Sequence, residues 1–304
     1  MQRAIPFVLI LLIFIITGFP SAAIAGEKIQ VFVSILPQKY FVEQIGGDLV
    51  DIHVMVAPHQ NPENFEPLPS QMAALSKADI YFTIGVPFED AWLKKFTASY
   101  PGIHLVRTDA GISKKPIHNH ADSPPATAAP ELSSRHHHKG IPDPHIWLSP
   151  ELVKIQARHI HEALTFLDPA RAKQYEAGFN RFMGELTALD QKIKNIFVET
   201  DGDKKFLVFH PSWGYFADVY GLTQLAIEIE GKEPKAQELK QLIDLAAGHH
   251  IQTVFVQPQF SSRQAEIIAQ AINGRVDTID PLAADWNENL LRTAAAINAS
   301  FLRP

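Results

Sequence analysis

Short apolar runs rich in β-branched and aromatic residues alternate with amphipathic helical segments along most of this chain, and that alternation limits the fold more than any other feature. Ile29 to Ser34, Asp51 to Val56, Asp79 to Ile84 and Ile103 to Arg107 read as strands, with helices predicted over Gln38 to Ile45, Pro69 to Ala78 and Glu89 to Ser99. The pattern resumes with strands at Phe206 to Phe209, Thr223 to Ile229, Gln252 to Val256 and Val276 to Ile279. Helices are predicted between and after them, at Trp213 to Val219, Lys235 to Ala247, Ser262 to Asn273 and Asn287 to Leu302. Strands joined through helices pair in parallel, so the fold class is α/β with two parallel-sheet lobes. Between the two series lies one long helical pattern that opens at Asp168-Pro169, with Phe179, Phe182, Met183, Leu186, Leu189, Ile193 and Ile196 recurring every third or fourth position. Run to about Val198, that helix would be ~45 Å long, enough to connect two lobes rigidly. The predicted domains are residues 26–167, a connecting helix over 168–199, and residues 200–304.

The first 25 residues are expected to leave the protein. Arg3, the apolar run from Ile5 to Ile16, the break at Gly18 and Pro20, and the small-residue site Ala23-Ile24-Ala25 describe a secretory signal peptide cleaved after Ala25. The chain has no cysteine, so an exported fold must rely on its core rather than on disulfides, and no lipid-anchoring cysteine follows the cleavage site. A free periplasmic protein is the expectation. Losing Arg3 with the leader moves the formal net charge from -6 to -7, which argues against nucleic acid as a partner. No Gly-rich phosphate loop, GxSxG elbow or HExxH pair is present. From Ser113 to Ile141 the periodicity collapses into a proline- and alanine-rich tract carrying His118, His120, His136, His137 and His138. It reads as a disordered insertion whose histidines either catch metal transiently or are incidental to a solvated spacer.

Candidate ligands stand where stiff backbone meets strand ends. In Asp143-Pro144-His145-Ile146-Trp147-Leu148-Ser149-Pro150 two prolines restrict the chain around His145, while Ser149-Pro150 caps and starts a helix over Glu151 to Phe166. His210 follows the strand ending at Phe209 and precedes Pro211, and Asp280 follows Ile279 and precedes Pro281. The stretch after Val56 offers His59, Glu63 and Glu66. Ligands of open parallel sheets bind beyond the carboxyl ends of the strands. Two histidines, one aspartate and one further group from these ends suit a borderline divalent metal in a closed four-ligand cage. Imidazole favours zinc, copper or nickel, and added carboxylate favours manganese.

Several stretches together resemble the periplasmic metal-binding proteins of ATP-driven zinc and manganese importers, the cluster A-I solute-binding family. They are Asn61 to Pro67, Asp143 to Leu148, Phe209-His210-Pro211 with Gly214 to Ala217 and Tyr220-Gly221-Leu222, Glu230 to Leu239, and Ile279 to Leu282. The resemblance implies two Rossmann-like lobes joined by one long rigid α-helix, a metal ion held between them, and delivery to an ABC membrane permease by a monomeric, non-enzymatic protein. It puts the second, third and fourth metal ligands on His145, His210 and Asp280. At the first position, where the family carries histidine after a proline, this chain has Glu63 after Pro62. Glu63 is expected to ligate there, with His59 as the alternative. Zn2+ is the expected cargo and Mn2+ or iron the alternative. The rival from another class is a secreted zinc-dependent hydrolase using Glu63 as base, and a third reading is an adhesion or scavenging protein built on the same site.

Overall fold

The computed structural model describes residues 27–117, 141–200, 202, 204–228 and 235–301. The proposed leader and histidines 118, 120, 136, 137 and 138 lie outside these residues. The strand-helix alternation is realised as two four-stranded, all-parallel sheets. The first contains β1 (Ile29–Val33), β2 (Val50–Val54), β3 (Ile80–Thr83) and β4 (His104–Arg107) in the order β2-β1-β3-β4. The second contains β5 (Lys205–Val208), β6 (Thr223–Ala226), β7 (Thr253–Val256) and β8 (Arg275–Thr278) in the order β6-β5-β7-β8. The two orders are the same permutation, so each sheet has its reversal of winding beside its first strand, where a crevice forms.

Helices α1 (Leu36–Gly46), α2 (Pro69–Leu75), α3 (Pro87–Ser99) and α4 (Pro150–Leu167) belong to the first half. Ser149 caps α4, accepting from the Leu152 amide, and Pro150 opens its first turn. The long pattern from Asp168 divides into a 3-10 turn over Pro169–Arg171 and helix α5 (Ala172–Phe197), whose 26 residues span about 39 Å. Asp168 does not cap it, because its carboxylate is bonded to Arg171 and to the Tyr175 hydroxyl instead. Gly178 allows α5 to lie against the end of α1, since a Cβ there would stand 2.4 Å from the Ile45 carbonyl oxygen. After α5 come α6 (Gly214–Tyr220), α7 (Ala236–Gly248), α8 (Arg263–Ala271) and α9 (Trp286–Phe301). The last helix packs back on α5, and Trp286 sets its ring edge-on to Phe41 of α1 at 4.9 Å. One apolar core consequently runs through both halves, and a second, smaller core lies beneath α7 and α8. Among the described residues no helix is long and apolar enough to cross a membrane.

The ends of the low-complexity tract are ordered. Pro116 and Pro142 form an antiparallel bridge, and the Asp143 amide donates to the Lys115 carbonyl at 2.7 Å. Lys115 is also tied to the second half, through its amide to the Tyr215 hydroxyl and its ammonium to Asp218.

Beyond the end of β3 the first lobe buries a carboxylate. Glu89 accepts from the Ser34 hydroxyl and from the amides of Ile84 and Gly85, at the start of the same helix whose Phe88 amide donates to the Pro62 carbonyl. Burial pushes Glu89 up from the ordinary 4.5 to about 7, against the opposing pull of those donors. A carboxyl group raised in the folded state stabilises the fold fully below the unfolded value, and that contribution is lost as pH rises through the folded one. Urea unfolding of the metal-free protein should therefore show a loss of up to about 3 kcal/mol from this group between pH ~5 and ~8. Glu89→Gln should flatten the profile by that amount, and parallel profiles for the two proteins would contradict the assignment.

Candidate metal centre

The register of the second sheet assembles one wall of the site. Val208 pairs with Ala226 on one side and Phe255 on the other, so two residues further on His210 stands between Glu228 and Gln257. Gln257 holds the His210 backbone on both sides, accepting from its amide at 3.2 Å and donating to its carbonyl at 2.7 Å. The ring of Phe260 stacks on the imidazole at 4.9 Å. Glu228 Oε2 lies 2.6 Å from His210 Nδ1.

His145 is fixed in the same way from the other half. Asp143 Oδ1 accepts both the His145 amide at 2.9 Å and Nδ1 at 2.7 Å. The 3-10 turn Ile146–Leu148 that follows is fully buried and anchors the segment. Trp147 Nε1 donates to the Pro281 carbonyl at 2.7 Å, and Trp286 Nε1 donates to the Trp147 carbonyl at 2.8 Å. A carboxylate accepts only, so each imidazole carries its proton on Nδ1 and keeps the Nε2 lone pair for something else. The two Nε2 atoms face each other at 3.3 Å, both rings buried.

Glu63 closes a third side. Its amide donates to Asn61 Oδ1 at 2.9 Å in a tight turn, Pro62 is held by the Phe88 amide, and Phe65 packs edge-on to Phe88. Glu63 Oε1 reaches 3.5 Å from His210 Nε2. Zinc bonds of about 2.0–2.1 Å at tetrahedral angles set neighbouring ligand atoms about 3.3–3.4 Å apart. The His145–His210 and His210–Glu63 spacings match that figure. A cavity of about 20 Å³ lies among Glu63, His145, Trp147, His210 and Gln259, which is room for one ion or water. A larger recess of about 690 Å³, lined by Asn64, Glu228 and Arg263 among others, shares Asn61, Glu63 and Phe260 with it.

The other sequence candidates have different surroundings. Asp280 Oδ1 is occupied by the Leu282 amide at 2.9 Å and by Gln259 Nε2 at 3.0 Å. Among the described residues the three that offer ligand atoms within 4.8 Å of one another are Glu63, His210 and Glu228; neither His145 nor Asp280 is in that group, and His145 meets it through the contact of its Nε2 with His210. His59 is exposed on a left-handed turn with φ 65°, and Glu66 is exposed. Sequence reasoning passed over Glu228, Gln257 and the role of Asp143. Asp143 had a local signal, two residues before His145, whereas Glu228 and Gln257 are recognisable only once the strand pairing is known.

Residues 31–298 match the model of the family described as "ZnuA: Zinc-uptake complex component A periplasmic". The fold superposes with a TM-score of 0.81 on a solved zinc-bound ZnuA carrying a 138-173 deletion, 42% identical, covering 91% of this chain and 100% of that one. The High-affinity zinc uptake system protein ZnuA of Bacillus subtilis (strain 168) is 26% identical over 86% of this chain and 81% of its own length. The Manganese ABC transporter substrate-binding lipoprotein PsaA of Streptococcus mitis is 27% identical over 88% and 85%. A family match over nearly the whole described fold, joined to an imidazole pair between two parallel-sheet lobes, places this chain in the zinc-uptake complex component A family of periplasmic proteins.

Proposed function

We propose that this protein captures one zinc ion between its lobes on Glu63, His145 and His210 and passes it to the membrane permease of an ABC importer. The observation that carries the reading is the pair of Nε2 atoms 3.3 Å apart, each freed for a metal by a carboxylate on its Nδ1. Two imidazoles favour zinc over manganese, and one carboxylate offsets half of the ion's charge without forbidding zinc. The ion is cargo, and the protein acts as a monomer after a leader is cleaved behind Ala25. Histidines 118, 120, 136, 137 and 138 serve as accessory metal-capturing residues.

The test is a competitive titration of zinc and manganese into the metal-stripped mature protein and its Glu63→Ala and His59→Ala variants. One tight zinc site, far weaker manganese binding, and a loss confined to Glu63→Ala are the expected results. Comparable manganese affinity would move the protein to the manganese branch of its relatives, and a loss confined to His59→Ala would transfer the first ligand. A version with residues 118–140 replaced by a neutral linker should keep the tight site. The cut must spare Lys115 and Ile117, because their backbone holds Asp143 and Ile141.

A further inference from the structure

Gln259 sits three residues beyond β7 and lines the small cavity together with Glu63, His145 and His210. Its Nε2 donates to Asp280 Oδ1 at 3.0 Å, while its Oε1 is buried and has no hydrogen-bond partner among the described residues. A buried amide oxygen without a donor costs roughly 1–3 kcal/mol, so such an atom in a well-packed protein calls for a partner. Rotating the amide by half a turn would set its oxygen against the Asp280 carboxylate, which only accepts. Asp280 is itself held by the Leu282 amide, and the Asn289 side chain donates to its carbonyl at 2.6 Å. The aspartate therefore dictates which end of the Gln259 amide is left unpaired, and in a residue that lines the cavity that end is the oxygen.

Resting on the zinc reading above, we propose that Gln259 is a metal-facing residue of the cage, its Oε1 bonding the captured ion or the water that ion carries, and that Asp280 acts as its positioning residue. The side of the site that the family resemblance gives to Asp280 is then served by an amide oxygen with the carboxylate behind it. A neutral oxygen donor there limits the negative charge facing the ion to Glu63, which suits a cargo that has to be released again.

The experiment uses the mature protein with zinc, read by a competing chromophoric chelator, and with cobalt(II), whose visible bands report coordination geometry. Gln259→Leu should weaken zinc binding by at least the roughly 10–100-fold that loss of a supporting group costs, and should shift the cobalt bands. Asp280→Asn keeps an oxygen that accepts from Gln259 and Leu282, so its zinc affinity should stay within a few-fold of the parent. Asp280→Ala frees the amide and should resemble Gln259→Leu, and the double variant should be no worse than either. Thermal unfolding of the metal-free proteins separates a folding defect from a binding one, with Gln259→Met as a second variant if Gln259→Leu unfolds early. Wild-type zinc affinity and an unchanged cobalt spectrum in both Gln259 variants would overturn the proposal. So would an Asp280→Asn loss as deep as that of His210→Ala, which would make Asp280 the direct ligand. If His210→Ala itself leaves zinc binding intact, it is the underlying zinc reading that fails.

Discussion

His210→Ala should abolish tight zinc binding, with a loss well beyond the roughly 10–100-fold that removal of a supporting hydrogen bond costs. His210 touches both other candidate ligands, with Nε2 at 3.3 Å from His145 and 3.5 Å from Glu63, so its removal leaves two groups that no longer converge. A ligand that binds only the folded state adds about 4 kcal/mol of stability at a thousand times its dissociation constant, and the variant should lose that increment in a thermal shift with zinc. Glu228→Ala should fall in the 10–100-fold class, because Nδ1 loses the carboxylate that fixes the tautomer while Nε2 remains. Glu228→Gln, which still offers an acceptor, should recover part of that loss. Equal effects of His210→Ala and Glu228→Ala would mean that Glu228 is itself a ligand, and a His210→Ala protein with full zinc-dependent stabilisation would place the site elsewhere.

Much of this arrangement is legible in the sequence, for reasons that differ from element to element. Most strands and helices fall within a residue or two of their expected ends because period-two and period-3.6 patterns are strong in short, buried elements, although α2 stops at Leu75 rather than Ala78 and β6 at Ala226 rather than Ile229. His145 and His210 are legible because proline stiffens the chain next to each and places them at element ends. Glu228 is not, because it is one of two acids in the run Leu225 to Glu230 and carries no mark of its partner. Its meaning comes from β5 and β6 being neighbours with Val208 opposite Ala226, a fact of tertiary register. Gln259 is hidden for a related reason, since its amide acquires an orientation only from Asp280, 21 residues on. The connecting helix shows the opposite failure. Asp168-Pro169 looks like a helix start, and locally it is one, but Asp168 spends its carboxylate on Arg171 and Tyr175, so the regular helix begins only at Ala172.

Trp147→Ala should be the most destabilising single change near the site, by about 3–5 kcal/mol in denaturant unfolding of the metal-free protein, the usual range for deleting a buried tryptophan. Trp147 is 1% exposed, and its indole N–H bonds the Pro281 carbonyl of the second half. Its own carbonyl takes the indole N–H of Trp286 on α9, which is also buried. The two tryptophans thus form a staple of successive hydrogen bonds, Trp286 to Trp147 and Trp147 to Pro281, directly behind His145, whose ring centroid is 5.1 Å from that of Trp147. Trp147→Phe keeps most of the apolar volume but leaves the Pro281 carbonyl without its donor, so it should cost about 1–3 kcal/mol. The staple also predicts how the lobes behave. Because it joins the first half to the second within the site wall, apo and zinc-loaded protein should differ little in radius of gyration by small-angle scattering, whereas in Trp147→Phe the difference should grow and zinc affinity fall. Wild-type stability in Trp147→Ala would mean that the pair does not support the fold, and a large apo-to-zinc change in the parent protein would show that the pair does not hold the lobes together.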